Sequence, residues 1–368
     1  MARGLQTIRS LSVLITRRSL STTAFRTSPS ILPQTQIFRS DPPLRAYRRS
    51  LLLSNRTVGL VPTMGALHAG HLSLARLAAL ENTDVFVSIY INPTQFGLHE
   101  DLSSYPKTWD ADLAALDALD KELATIPGAG RISAIFAPTT DIMYPTLPPD
   151  SAVDGKGSFV TITPLATLLE GASRPVFFRG VATVCMKLFN ICTPERVYFG
   201  QKDVQQTVVI RRLVKDFHVD TDVRVGPTQR EESGLAMSSR NVYLGARRRA
   251  VAVVLSQALR RAEEQYVAGK RKRGDILAPA TWHLGRVAAE QEGLAKARRA
   301  CFDVDYIALS DPETMEEVQE VDPERGAILS GAIKMKELEE PGEGEECGVG
   351  GGRIAVRLID NIILQPVV

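Results

Sequence analysis

Short apolar runs alternate with segments of helical periodicity between residues 58 and 225. The runs at 58–61, 84–91 and 196–199 are rich in β-branched and aromatic residues, which is typical of buried strands. The apolar residues between these runs recur at the spacing of one helix face, most clearly at 181–192. Because strands that alternate with helices pair in parallel, the pattern predicts a doubly wound α/β fold. Further strands are predicted at 133–137, 159–162 and 219–225, and further helices at 45–54, 101–119 and 204–214.

The pattern changes in the last third of the chain. Two long helical patterns, at 245–267 and 279–299, come before a group of strands. Those strands are predicted at 303–309, 326–335 and 353–358. Helices followed by strands predict a smaller α+β domain, which we place at 229–368 after a first domain at 41–228.

Two segments have compositions that do not suit a packed core. Residues 1–40 contain no Asp or Glu but six arginines with many Ser and Thr, which is typical of a mitochondrial presequence. A disordered tail without a targeting role is the alternative, and the cytoplasm would then be the location. Residues 337–352 are acidic and rich in glycine, so we predict a flexible surface insertion there.

Composition and charge narrow the class of protein. With 44% hydrophobic and 23% charged residues, the chain resembles ordinary globular proteins and can build a sizeable core. The formal net charge of +2 indicates no broad basic face, so nucleic acid is not an expected partner. No apolar run reaches the length of a membrane span, and the four cysteines form no Cys-x-x-Cys pair. A membrane protein and a zinc ribbon are therefore not expected.

A strand, a turn and a helix start are predicted around two histidines. Pro62 and Gly65 mark the turn, and the apolar residues that follow His71 recur at helical spacing. A helix N-terminus offers unpaired N–H groups and a partial positive charge, which suits an anion such as phosphate. Gly70 lets a ligand approach the backbone, and His68 and His71 can reach it from one face. The alternatives are a metal pair, which lacks a nearby Cys or carboxylate, and two structural imidazoles.

Polar residues also follow later predicted strands. Gln95 lies just past the second strand, at the edge where parallel sheets bind ligands, and its amide offers donors and an acceptor. An ordinary loop residue is the alternative. Lys202 and Asp203 follow another strand, where Asp203 can cap the next helix. Arg174 and Arg179 either contact a substrate or form structural ion pairs.

Five sequence strings resemble those of one enzyme family. The string HAGH at 68–71 resembles the HxGH signature of nucleotidyltransferases and class I aminoacyl-tRNA synthetases. The strings PTMGALHAGH, SIYINPTQF, LEGASRPVFFRGV, FGQKDVQQ and GLAMSSRN resemble pantothenate synthetases, the pantoate–β-alanine ligases, in order and spacing. Unrelated chains would have to match each string independently, so the resemblance is specific. It covers residues 58–244 and resumes at 304–306 and 357–364.

The resemblance implies a fold, an activity and partners. The fold would be a Rossmann-like doubly wound parallel sheet of the nucleotidyltransferase type, with the C-terminal α+β domain as a lid. The activity would be ATP-dependent condensation of (R)-pantoate with β-alanine to pantothenate, AMP and pyrophosphate through pantoyl adenylate, in coenzyme A biosynthesis. ATP, pantoate and β-alanine would be the small-molecule substrates, Mg²⁺ would accompany ATP, and the enzyme would be a homodimer.

The resemblance also implies roles for individual residues. The catalytic cations, which would stabilise charge on phosphate during adenylation, are His68, His71, Lys202 and Arg240. The ATP-binding residues would be Met64, Gly65, His68, His71, Gly200, Lys202, Asp203, Gln229, Met237, Ser238, Ser239 and Arg240. The pantoate-binding residues would be Asn92, Gln95, Arg174 and Gln206, and Gln95 would also bind β-alanine. Mg²⁺ would be held mainly by phosphate oxygens, with Asp203 as a nearby carboxylate. For the two serines, an ordinary helix cap is the alternative.

Two positions depart from the family pattern. Gln201 replaces the acid of the usual GEKD string, and Ser233 replaces the acid that often precedes GLA. Neither change removes a residue that is assigned to the chemistry, but the charge around Lys202 differs from the usual pattern.

Two other classes of function compete with the ligase. An adenylyltransferase would release its adenylylated product and would have no reason to keep Gln95 and Gln206 together with a second domain. A non-enzymatic nucleotide-binding regulator or tRNA-binding module would show decayed motifs or a basic accessory domain. The sequence shows neither feature, so the ligase is the main hypothesis.

Overall fold

Six parallel strands form the centre of the N-terminal half in the computed structural model, which describes residues 35–97, 102–103 and 105–367. The strands are β1 (Gln36–Phe38), β2 (Val58–Thr63), β3 (Asp84–Ile89), β4 (Arg131–Phe136), β5 (Arg196–Gly200) and β6 (Asp222–Gly226). Their order across the sheet is β1-β4-β3-β2-β5-β6, and each neighbouring pair is parallel. The predicted doubly wound parallel sheet is confirmed.

Helices cover both faces of this sheet. In chain order they are α1 (Asp41–Leu53), α2 (Ala69–Glu81), α3 (Trp109–Leu123), α4 (Thr140–Met143), α5 (Glu170–Ser173), α6 (Phe177–Cys192) and α7 (Val204–Asp216). The helices α2 and α3 share a core with Val61 and Val85, whereas α1, α6 and α7 share a core with Leu60 and Phe86. Successive residues of a strand point to opposite faces, so β2 and β3 are mostly apolar because both faces are buried.

The order of the strands reverses beside β2. The strands β2, β3 and β4 follow one another in one direction across the sheet, whereas β5 and β6 lie on the other side of β2. Loops that leave the carboxyl ends of strands at such a reversal diverge and leave a crevice for a ligand. The two histidines follow β2 and Lys202 follows β5, so the reversal brings them to the same crevice.

Three helices and an antiparallel sheet form the C-terminal half. They are α8 (Gly245–Ala252), α9 (Val254–Val267), α10 (Arg273–Glu292), β7 (Phe302–Ser310), β8 (Ala327–Met335) and β9 (Val356–Leu364). The central strand is β8, and α9 and α10 pack on the sheet through side chains such as Leu259, Ile276 and Leu329. The predicted α+β part is confirmed, but both halves belong to one compact unit, so the domain boundary at residue 228 stays a prediction. Among the described residues, no helix is both long and apolar enough to span a membrane.

Two extended segments differ from the prediction. The strand β1 lies within the segment 1–40, which the composition predicts to be an extension, and pairs with β4 at the edge of the sheet. Its three residues are too few for a periodic signal. Residues 1–34 lie outside the described part of the chain. The strand predicted at 159–162 is wrong, because Val160 donates its N–H to the Oγ1 of Thr183 on α6 instead of to a strand.

Two helix boundaries differ from the prediction near prolines. The helix predicted from residue 101 begins at Trp109, because Pro106 disfavours helical backbone in the residue before it. The helix predicted from Pro279 begins at Arg273, because the buried side chain of Ile276 stabilises the turns ahead of the proline. The first long helical pattern of the C-terminal half is divided between α8 and α9.

The acidic, glycine-rich segment 337–352 contacts the rest of the protein at defined points. The N–H of Val349 donates to the carbonyl of Val242 at 2.9 Å, and Glu345 forms an ion pair with Arg247. The structure therefore gives this segment specific neighbours where its composition predicts a flexible insertion.

Candidate active site

A large cavity opens at the carboxyl end of the parallel sheet, beside the reversal of strand order. Its volume is about 1080 Å³, and part of its wall comes from the C-terminal half, including β9. The predicted site residues that line it are Met64, His68, His71, Asn92, Gln95, Arg174, Lys202, Asp203, Gln206, Ser238, Ser239 and Arg240. Residues that are far apart in the chain therefore meet around one space.

The other four predicted site residues do not line this cavity. Gly65 has a φ of +84° and Gly200 ends β5, so both shape loops that carry site residues. The N–H of Met237 donates to the carbonyl of Gln229 at 2.9 Å, which closes the base of the loop ahead of Ser238. The structure thus gives these four residues a part in loop geometry.

His68 and His71 hold each other in place at the start of α2. His68 is the N-cap of the helix, and its Nδ1 accepts a hydrogen bond from the N–H of Gly70 at 3.1 Å. The Nδ1 of His71 accepts from the N–H of His68 at 3.4 Å, and the ring centroids lie 4.1 Å apart. Because each Nδ1 is an acceptor, each neutral ring carries its proton on Nε2. Two Nε2–H donors therefore lie at a helix N-terminus that suits an anion.

Burial keeps both imidazoles neutral at pH 7. Removal from water is the main reason why the pKa of His68 falls to about 4 and the pKa of His71 to about 3. The positive charge of Lys202 acts in the same direction on both rings, and Asp203 opposes it at His68. The expectation that the histidines act as cations is therefore wrong. They are neutral hydrogen-bond donors, and Lys202 supplies positive charge beside them.

A buried carboxylate that lies outside the sequence motifs holds the turn between β2 and α2. Asp112, in the first turn of α3, accepts from the N–H of Ala66 at 3.0 Å and from the N–H of Leu67 at 2.8 Å. Thr108 donates to the same carboxylate. Ala66 has a φ of +51°, which is uncommon outside glycine, and these bonds stabilise it. An acidic residue in a first helical turn is too common to reveal that it positions His68.

Asn92 uses all four hydrogen-bonding positions of its amide inside the protein. Its Nδ2 donates to the Oε1 of Gln95 and to the carbonyl of Gly180, both at 3.1 Å. Its Oδ1 accepts from the hydroxyls of Thr94 and Tyr144. In this geometry the amide orients Gln95, and contact of Asn92 with pantoate stays a prediction. Since Asn92 holds the Oε1 of Gln95, the Nε2 group is the donor that Gln95 can offer to a ligand.

Two consecutive glutamines on α7 have different surroundings. Gln205 is buried, donates to the carbonyls of Leu165 and Leu168, and accepts from the N–H of Glu170. Gln206 is partly buried and lines the cavity. Neighbouring residues of a helix point about 100° apart, so the two amides serve different purposes.

Lys202 and Asp203 lie in the 3-10 turn Gln201–Asp203 between β5 and α7. The Nζ of Lys202 lies 3.1 Å from the Oδ1 of Asp203, and both side chains line the cavity. Asp203 occupies the N-cap position of α7, but its side chain caps no N–H in the part of the chain that is described. The predicted cap is therefore wrong, because the carboxylate pairs with the lysine.

The sequence leaves two roles open for Arg174 and Arg179, and the structure gives their side chains different contacts. Arg179 donates to the carbonyls at 152–153, and its guanidinium lies 4.2 Å from the ring centroid of Phe159, so its role is structural. Arg174 lines the cavity and forms an ion pair with Glu170 at 3.1 Å. Of the two, Arg174 is the one placed to meet a ligand.

The loop predicted to close over ATP carries a helix cap that also lines the cavity. Ser238 is the N-cap of the 3-10 helix Ser239–Tyr243, and its Oγ accepts from the N–H of Arg240 at 3.2 Å. The Oγ of Ser239 lies 3.0 Å from the hydroxyl of Tyr105, which also lines the cavity. Ser238 therefore caps the helix and also lines the cavity, so the helix cap does not conflict with the predicted contact to ATP.

Known proteins match the chain over most of its length. The model of the pantoate–β-alanine ligase family matches residues 36–363. The pantothenate synthetase of Roseiflexus castenholzii is 43% identical over 319 residues, which cover 87% of this chain and 96% of that protein. The pantothenate synthetase of Koribacter versatilis is 37% identical over 330 residues, which cover 90% of this chain and 96% of that protein.

Solved structures match the fold as well. Pantothenate synthetase from Thermus thermophilus has a TM-score of 0.69 and 34% identity, and the match covers 89% of this chain and 99% of that chain. Pantoate–β-alanine ligase from Francisella tularensis, in a complex with beta-gamma ATP and β-alanine, has a TM-score of 0.62 and 29% identity, over 90% and 98% of the two chains. The matches extend across the sheet, the cavity and the C-terminal half. This chain therefore belongs to the pantoate–β-alanine ligase family.

Proposed function

We propose that this protein catalyses the ATP-dependent condensation of (R)-pantoate with β-alanine to pantothenate, AMP and pyrophosphate, a step of coenzyme A biosynthesis. The observation that carries the proposal is one cavity lined by His68, His71 and Lys202 together with Gln95 and Gln206. The histidines and the lysine donate to phosphate, and the two amides bind a hydroxy acid. Because both groups line one cavity, it suits a nucleotide and a carboxylate that react with each other.

The reaction has two steps. A carboxylate oxygen of pantoate attacks the α-phosphorus of ATP, the bond from that phosphorus to pyrophosphate breaks, and pantoyl adenylate forms. The amine of β-alanine then attacks the carbonyl carbon of the mixed anhydride, the bond to AMP breaks, and the nitrogen loses a proton. Neither step needs a covalent bond to the protein, so catalysis depends on positioning and on stabilising charge.

The histidine side of the cavity suits the phosphates. The Nε2–H groups of His68 and His71 would donate to phosphate oxygens at the helix N-terminus. Lys202 and Arg240 would supply positive charge as pyrophosphate leaves, because an ammonium or guanidinium in a partly buried site stabilises phosphate strongly. Met64, Ser238 and Ser239 would contact the rest of the nucleotide.

The glutamine side of the cavity suits pantoate. Gln95 and Gln206 would hold its hydroxyl and carboxylate oxygens, Arg174 would assist with the carboxylate, and Gln95 would also meet β-alanine. Val181 and Leu188 line the same cavity and would pack against the two methyl groups of pantoate. Polar and apolar parts of one small ligand are thus matched on adjoining walls.

A magnesium ion is implied by the family and suits the donors of the cavity. Among the described residues, no three His, Cys, Asp or Glu side chains form a group that could hold a metal by themselves. Mg²⁺ prefers oxygen ligands and is commonly bound through substrate phosphates with one or two carboxylates. Asp203, whose carboxylate lines the cavity, would contribute such an oxygen. When bound, the ion would neutralise charge on the pyrophosphate.

The direct test of the activity is to incubate the purified protein with ATP, Mg²⁺, (R)-pantoate and β-alanine. Formation of one AMP for each pantothenate supports the ligase. Release of an adenylylated product in the presence of β-alanine would instead indicate an adenylyltransferase.

Replacing Gln206 by alanine is expected to weaken the binding of pantoate much more than the binding of ATP. The truncation leaves an oxygen of bound pantoate unpaired, which costs about 1–3 kcal/mol, or about 5- to 150-fold in KM for pantoate. Gln95→Ala is expected to behave in the same way. Steady-state KM values for the two substrates measure the difference.

Gln205→Ala is the matched control for this prediction. It truncates the same side chain one position earlier, where the amide is bonded to Leu165 and Leu168. We expect it to lower the free energy of unfolding by about 1–3 kcal/mol without discriminating between the substrates. If Gln206→Ala raised the KM values for pantoate and ATP equally, Gln206 would only support the structure of the site, and its assignment to pantoate would be refuted.

Two properties stay predictions. The mitochondrial location depends on the composition of residues 1–40, with the cytoplasm as the alternative. A fluorescent protein fused behind these residues distinguishes the two locations. The homodimer is expected from the resemblance, and sedimentation of the purified protein measures it.

A further inference from the structure

The edge strand of the C-terminal sheet contacts the loop that carries Lys202. The sheet order β7-β8-β9 leaves one edge of β9 without a partner strand in this sheet. Asn361 lies on β9 and is 2% exposed. Its Nδ2 donates to the carbonyl of Gln201 at 2.8 Å and to the carbonyl of Lys202 at 2.9 Å. These carbonyls belong to the two peptide groups that flank the Cα of Lys202.

One further contact orients the side-chain amide of Asn361, and another fixes its backbone. The Oδ1 accepts from the Nε2 of Gln201 at 3.4 Å, and the backbone N–H donates to the Oδ1 of Asp360 at 2.8 Å. Asp360 in turn forms hydrogen bonds of 2.6 and 2.9 Å with Arg230. The glutamine that replaces the usual acid of the family therefore has a use here, because a glutamate side chain at position 201 would have no N–H to donate.

The side chain of Lys202 does not fix the turn by itself. Its Nζ pairs with Asp203, the next residue in the chain, so this contact moves with the turn. The hydrogen bonds from the Nδ2 of Asn361 to the two carbonyls connect the turn to another part of the fold, 159 residues away. Correct placement matters because a displacement of about 1 Å of a reacting group can cost about 100-fold in rate. Asn361 is not among the described residues that line the cavity, so any effect on phosphate would pass through Lys202.

We propose that Asn361 is a positioning residue for adenylation, which fixes the backbone on both sides of Lys202 and thereby places its ammonium at the reacting phosphate. The proposal rests on the proposed function of the cavity. It assigns part of the first chemical step to the C-terminal sheet.

A double-mutant cycle with Lys202 tests this dependence. Asn361→Ala is expected to slow single-turnover formation of pantoyl adenylate by about 10- to 100-fold. The reaction of preformed pantoyl adenylate with β-alanine should change by less than about threefold, because no pyrophosphate leaves in that step and its bond changes take place at the acyl carbon. In a Lys202→Ala background, Asn361→Ala should change adenylation by less than about threefold, since nothing remains to be positioned. Losses that multiply in the double variant would overturn the proposal.

Two further variants separate positioning from damage to the fold. Asn361→Asp fills the same volume but removes the Nδ2 donors, so it should reproduce the loss in adenylation even if Asn361→Ala does not fold. Ile362→Val, at the next position of β9, controls for loss of packing and should leave adenylation unchanged while thermal unfolding is followed for each protein. Normal adenylation by a folded Asn361→Asp variant would refute the positioning role alone. Absence of pantoyl adenylate in the wild type would refute the proposed function instead.

Discussion

Lys202→Ala is expected to slow the formation of pantoyl adenylate by about 100- to 1000-fold, the usual cost of removing one preorganised charge partner from developing charge. The side chain of Lys202 is 18% exposed in the cavity, where lower polarity than in water strengthens the attraction of its ammonium for phosphate. Attack of the β-alanine amine on preformed pantoyl adenylate should lose far less, because that step is intrinsically easier and needs no departure of pyrophosphate. Single-turnover measurements of the two half-reactions give the comparison.

Lys334→Ala is the matched control for this prediction. Lys334 lines the same cavity from β8, so the substitution removes an equal charge from a wall that carries no proposed phosphate ligand. Adenylation should stay close to the wild-type rate in this variant. Equal losses in both half-reactions of Lys202→Ala would contradict the assignment and show that Lys202 holds the adenylate throughout.

His71→Asn is expected to slow adenylation by about 100- to 1000-fold, whereas His71→Gln should lose markedly less. The asparagine keeps an acceptor near the position of Nδ1, which can bind the N–H of His68, but it has no group near Nε2. The glutamine places an NH₂ donor near Nε2 and gives up the bond to the backbone. The pair of variants therefore tests the donor to phosphate separately from the helix cap. A larger loss in His71→Gln than in His71→Asn would show that the cap matters more.

The pH profile of the wild type tests the charge state of the same rings. Burial lowers the pKa of His71 to about 3 and that of His68 to about 4, so both rings stay neutral from pH 7 down to pH 5. Their protonation should therefore leave the adenylation rate unchanged in this range. A change in rate with an apparent pKa near 6.5 that is absent in His71→Asn would contradict the role of a neutral donor.

The order of strands and helices is readable from the sequence because both faces of the central sheet are buried. Burial on both faces makes a strand such as β3 a mostly apolar run, and the helix α6 shows its buried face by its spacing. The short edge strand β1 and the start of α10 do not follow such local rules. In β1 three residues carry too little signal, and in α10 tertiary packing of Ile276 outweighs the helix-starting preference of Pro279.

The motif residues are also readable from the sequence, but their chemical state is not. The string at 68–71 places two histidines at a helix start, and the structure confirms that start. Residue types alone suggest cations there, whereas burial and the nearby ammonium of Lys202 keep the rings neutral. A pKa depends on what surrounds the group in space, and those neighbours come from other parts of the chain.

By itself the sequence determined which loops follow which strands, and so which residues gather at the carboxyl edge of the sheet. Only the tertiary structure decided how those residues are held. Asp112 bonds to a turn 46 residues away, Asn92 to a carbonyl 88 residues away, and Asn361 to a carbonyl 159 residues away. Periodicity reports which face of an element is buried, but it contains no information on which distant polar group a buried amide or carboxylate will meet. That choice follows from strand order and helix packing, which bring these segments together.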